Sequence, residues 1–194
     1  MATSVIEICN RALRAIGQEV ITSLADDSTR ASLCSLHYEP TRNAVLRAHP
    51  WKFSITRTNL ATSSSSPPFE YDYSYPLPAD CLRLLSVYDS SGQPIHANGS
   101  WTLEDGGIQT SITAPIYIKY IQQVTNPTKF DSLFDEALIA RLAATIANDK
   151  SLEAQVVDRQ WELYRRKVAE AQFVDSTERS APKEYVSAWE QARA

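Results

Sequence analysis

Glu104 and Asp105, three and four residues after Trp101, are an adjacent carboxylate pair with an aromatic close by, and a pair of carboxyls can serve as general acid and charge stabiliser. The competing reading is a turn, because the pair stands directly before Gly106-Gly107. Asp26-Asp27 precedes a helix, where negative charge suits the dipole. Neither pair has a histidine nearby in sequence. His37, His49 and His96 are not spaced as metal ligands, and Cys9, Cys34 and Cys81 show no Cys-x-x-Cys pattern or histidine pairing. Cys9 and Cys34 fall on apolar helical stripes and read as buried free thiols. None of the five glycines belongs to a phosphate-binding loop, and no Gly-x-Ser-x-Gly elbow is present. The expectation is therefore no catalytic residue, no metal and no cofactor. Arg165-Arg166-Lys167 reads as a solvated helix face, with contact to a neighbouring subunit as the other reading.

Aromatic residues point toward binding. Tyr71, Tyr73, Tyr75, Trp101, Tyr117 and Tyr120 exceed what one small sheet covered on a single face would need, so some are expected to meet another protein or a sugar. At the other end of the chain, 175–194 is polar except for Tyr185, Val186 and Trp189. Such a segment either returns to its own subunit or docks on a partner.

The elements that position these residues follow from periodicity. Ser4 and Glu7 form a capping box, Val5, Ile8, Cys9, Ala12 and Ile16 mark one helical face, and Gly17 ends it. Cys34, Tyr38, Thr41, Val45 and Ala48 mark a second helix, opened by Asp27 or Ser28, with a kink or break expected at Pro40 and a stop at Pro50. From Trp51 apolar and polar residues alternate through Phe53, which predicts a strand. A mobile Ser/Pro-rich hairpin tip follows at 61–68, then short strands, hairpin signals at Asn98-Gly99 and Gly106-Gly107, and the strongest strand at 116–121. Phe134, Leu138, Leu142 and Ile146 recur on a third helix, and Ala154, Val157, Trp161, Tyr164, Val168 and Ala171 on a fourth.

The fold class expected is mainly α with a β insertion: a four-helix bundle from 1–50 and 128–174, an antiparallel β module from 51–127 between the second and third helices, and a C-terminal arm from 175–194. Its core is predicted from Cys34, Tyr38, Val45, Trp51, Phe53, Phe134, Leu138, Leu142, Trp161 and Tyr164. Net charge is −4 with no basic block, which argues against tight nucleic-acid binding. No basic leader with an apolar core and no run of about 20 apolar residues is seen, so a cytosolic protein without membrane contact is expected.

A helix ending in a basic residue, then Trp51-x-Phe53, then a sheet and two more long helices resembles the tail tubular protein A family, the head-to-tail adaptors of short-tailed phages. The resemblance implies a homo-oligomeric ring, a dodecamer, whose helices wall a channel through which DNA passes without specific binding. It implies a portal protein above, met by the arm through Tyr185, Val186 and Trp189, and a tail nozzle or tubular protein below. Residence in the virion tail or neck follows, after assembly in the bacterial cytoplasm. The alternative is a tail-associated enzyme degrading cell-wall or capsule polysaccharide; a monomeric carbohydrate-binding module would need only the tyrosines.

Overall fold

The computed structural model describes residues 4–63, 66–96 and 100–178. Its helices are α1 (Val5–Ala15), α2 (Thr29–Ala48), α3 (Ser132–Asp149) and α4 (Ala154–Thr177). Between α2 and α3 run β1 (Ile55–Leu60), β2 (Tyr73–Pro76), β3 (Cys81–Tyr88), β4 (Pro94–Ile95), β5 (Trp101–Glu104), β6 (Gly107–Thr110) and β7 (Ile116–Gln122). The protein is thus mixed α+β.

Capping fixes where the helices begin. Ser4 accepts from the Glu7 amide at 3.2 Å, Ser28 from Ala31 at 3.2 Å, and Asp131 from Leu133 at 2.8 Å. Gly17 takes φ +71, and the Gln18 amide returns to the Leu13 carbonyl to close α1. The break expected at Pro40 is absent: α2 is one helix of 20 residues. Pro40 faces solvent, where water reaches a carbonyl that has lost its amide partner.

Helix α3 is the centre of the helical layer and touches all three other helices. Its Phe134, Leu138, Leu142 and Ile146 are buried, and Ala137, Ala140, Ala143, Ala144 and Ala147 bury the flanks, so it is apolar nearly all round. Cys34, Tyr38 and Val45 are buried in the same cluster, and Phe53 and Tyr164 pack at its edge.

Helix α4 is placed differently from its expected stripe. The line facing the core runs through Val157, Gln160, Tyr164, Val168 and Ala171, and only Gln160 and Ala171 are fully buried. Gln160 donates through Nε2 to the Ala15 carbonyl at 3.0 Å, satisfying a group that the end of α1 leaves free. That contact turns Trp161, about 100° further round the helix, to the flank. Trp161 is therefore half-buried, outside the core cluster, with its ring edge-on to Tyr164 at 6.0 Å.

The strands form two sheets where one was expected. The first has the order β1-β7-β3-β4 and the second β2-β6-β5, antiparallel throughout. Leu60, Val87, Ile116, Ile118 and Tyr120 from the first sheet meet Tyr75 and Ile108 from the second in a core of their own. β1 and β2, on either side of the Ser/Pro-rich segment, lie in different sheets, although the Ser63 amide donates to the Ser74 carbonyl at 2.7 Å. Gly107 is required here: a Cβ would lie 2.9 Å from the Tyr75 carbonyl oxygen.

Candidate functional site

The proline at position 50 sets up the best-defined polar site among the described residues. It holds His49 extended at φ −143, so the chain leaves α2 sharply and Trp51 turns back beneath it. The Trp51 indole donates to the Val45 carbonyl at 3.0 Å and is 1 % exposed. Trp51 and Phe53 both pack on Phe134, with ring centroids at 5.3 and 5.0 Å, and Phe130 closes the group. Trp51 and Phe53, two residues apart, would share one face of a strand as well, but the Ser54 and Ile55 amides return to the Trp51 carbonyl at 2.9 and 3.2 Å and close a turn instead. Lys52–Ser54 is accordingly a 3₁₀ turn, and the strand begins at Ile55.

This turn receives the end of α4, which extends to Thr177 rather than stopping at Val174. Asp175 Oδ1 accepts from the Lys52 backbone amide at 3.0 Å, its Oδ2 lies 3.0 Å from His49 Nε2, and Lys52 Nζ reaches Glu178 Oε2 at 2.7 Å. Residues 175–178, assigned to the arm from sequence, are in this way bound to the folded body. A depression of about 310 Å³ lies alongside, lined by Phe53, Lys129, Phe130, Asp131 and Val174 among others. Asp131 is engaged in capping α3 and Asp175 in the latch, so the site is built to hold a chain direction. The same logic joins α2 to the end of α3, where His37 Nε2 meets Asp149 Oδ2 at 2.7 Å. Sequence spacing could not reveal either pair: their members lie more than a hundred positions apart.

The other sequence candidates are scattered. Tyr185, Val186 and Trp189 lie outside the described residues, as does the Asn98-Gly99 signal. Glu104 and Asp105 are exposed at the β5–β6 turn, with Asp105 at φ +49. The Trp101 indole donates to the Ile95 carbonyl at 3.1 Å. Asp26 accepts the amides of Ser23 and Thr22, which hold its carboxyl below the usual range and staple the α1–α2 connection. Lys167 binds Glu136 of α3 at 2.6 Å, which raises its affinity for its proton. The described residues contain no group of three or more His, Cys, Asp or Glu able to hold a metal ion. No described helix is long and apolar enough to cross a membrane.

Most of the aromatics are consumed within the subunit. Tyr75 and Tyr120 are buried between the sheets, and Tyr73 and Trp101 pack at that core's edge. A second sheet, which the count of aromatics did not allow for, accounts for them. Burial and the Asp80 carboxylate, which accepts its hydroxyl at 3.1 Å, push Tyr120 up to about 12. Tyr117 remains on the outer surface.

No protein-family model matches this sequence, and comparison with curated proteins returns no match.

Proposed function

We propose that this protein is a structural component of a phage virion, a head-to-tail adaptor whose copies form a ring, likened to a dodecamer by the family resemblance, between the portal and the tail nozzle. On this reading the four helices are a bundle walling the DNA channel, and the β sandwich is an insertion between α2 and α3. The 175–194 arm contacts the portal through Tyr185, Val186 and Trp189, and the protein needs no cofactor and performs no catalysis.

The observation that carries the reading is α4. It is a helix of 24 residues with only two fully buried, leaving Trp161 half open and Phe173 70 % exposed. A helix this long that leaves Phe173 and part of Trp161 uncovered suits contact with a neighbouring copy. Its last turn is latched by Asp175, so the arm starts from a fixed point beside the α2–β1 turn. Fixing the start of a docking segment reduces the entropy that binding must overcome.

The test is co-sedimentation with portal rings. The full chain is expected to pellet with the portal, and a chain ending at Glu178 to remain in the supernatant while melting at the same temperature. Equal binding by both would remove the arm from the portal contact.

A further inference from the structure

The two outer faces of the β sandwich differ in charge and in shape. Side chains alternate across each strand, so residues between the inward Leu60, Ile116, Ile118, Tyr120 and Val87 point away from the second sheet. On that outer face Arg57 stands directly opposite Lys119, and Tyr117 opposite Asn59 and Tyr88. Like charges paired across neighbouring strands are unfavourable within the subunit. Neither Arg57 nor Lys119 has a carboxylate within ion-pair distance among the described residues. Beside them lies a cavity of about 590 Å³, lined by Arg57, Asn59, Tyr88, Gly92 and Tyr117, with Tyr117 39 % exposed. The nearest acid in the adjoining turn, Asp89, is engaged by Ser91 and Gln93, which hold its carboxyl below the usual range.

The opposite face, on the second sheet, carries a projection. Phe69 is 76 % exposed on a segment stiffened by Pro67 and Pro68. Glu70 behind it adopts φ +71, and the Tyr71 amide closes a three-residue turn onto the Phe69 carbonyl at 2.9 Å. Glu70 and Glu104 both bear on Tyr71, whose hydroxyl is held above its usual range by partial burial and then by these two carboxylates. Glu104 and Asp105 share one open cleft with Phe69 and Glu70. From Thr58 to Pro115 the sequence contains one lysine or arginine, Arg83, and its guanidinium donates to the Arg47 carbonyl.

We infer that the acidic Phe69 projection of one copy enters the tyrosine-lined cavity that Arg57 lines, with Lys119 beside it, on the next copy. This rests on the ring reading above and supplies it with a contact. The charges are complementary, the projecting ring meets two tyrosines, and the unfavourable Arg57–Lys119 pairing, which has no ion-pair partner among the described residues, gains counter-charges from the neighbour. Because the two surfaces lie on opposite faces, the contact is head-to-tail and repeats from copy to copy, closing into a ring when the rotation permits.

Two full-length variants test it. Arg57→Glu with Lys119→Glu makes both faces acidic; Glu70→Lys with Glu104→Lys makes both basic. All four positions are surface-accessible, and circular dichroism melts confirm that each variant folds. By sedimentation velocity the unchanged protein is expected to form species larger than a dimer that dissociate as salt is raised. Each variant alone is expected to be monomeric, and an equimolar mixture of the two to recover the large species. Phe69→Ser, with all charges kept, is expected to weaken assembly as well. Variants that assemble as well as the unchanged protein, a mixture that fails to recover, or an unchanged protein that stays monomeric each overturn the contact. Portal co-sedimentation of the same variants reads the adaptor proposal separately: binding that persists leaves that proposal standing when this contact falls.

Discussion

Trp51 and Trp161 look equivalent along the chain, each at a helical or strand-like apolar position, yet one is enclosed by Val45, Phe53 and Phe134 and the other lies on a flank. Trp51→Ala is therefore expected to cost about 3–5 kcal/mol in a denaturant titration. Trp161→Ala is expected to cost about 1 kcal/mol or less in the isolated subunit. Reversal of that order would mean that the burial line of α4 passes through Trp161 after all. Periodicity identifies a stripe but not which of its edges is covered, and here a glutamine set the rotation by reaching a free carbonyl on α1. The tyrosines add a pH dependence. Tyr38, through burial opposed by Arg42, and Tyr120, through burial and Asp80, are both raised to about 12. The unfolded chain ionises these groups near their ordinary value of about 10. Below that pH their contribution to stability is complete; it declines as pH rises from about 10 to about 12, because only the unfolded state has released the protons. The denaturation midpoint should fall across that window, and less steeply in Tyr38→Phe. An unchanged slope would show that Tyr38 does not titrate with folding.

Among the helices, α3 has the most buried residues and α4 the fewest. Ala144 is fully buried on α3, so Ala144→Leu is expected to lower stability by about 1–3 kcal/mol through overpacking. No change on thermal melting would show that the neighbouring helices have room to spare. The starts of α1 and α2, the Gly17 stop, the buried run of α3 and the central strand at Ile116 were legible in the sequence, because capping and periodicity are local. The division of the strands into two sheets was not, since the crossover after β1 carries no signal beyond small polar residues and prolines. The start of β1 was also misplaced. Trp51, Phe53 and Val124 belong to the helical core, so a deletion that tests the independence of the helices must run from 55 to 122 and leave those residues in place. Such a bridged chain is expected to melt cooperatively with helical circular dichroism. A non-cooperative melt would show that the sandwich is needed to hold the helices together.

At the scale of the whole molecule, the α2–β1 turn is where the chain passes from the helical core to the strands, and the end of α4 is fastened to that same turn by Asp175. Asp175→Ala leaves the Lys52 amide without its acceptor and is expected to cost about 1–3 kcal/mol. It should also weaken portal binding, because the arm then starts from a frayed helix end. The latch was invisible in sequence because its partners are distant, and the expected arm residues Tyr185 and Trp189 lie outside the described residues. Assembly on a portal is what the proposed function requires of this chain. Electron microscopy of the purified protein mixed with its portal tests it most directly: a ring of this protein stacked on the portal axis, its channel walled by helices, is the expected image. Portal particles that remain bare at saturating protein would contradict it.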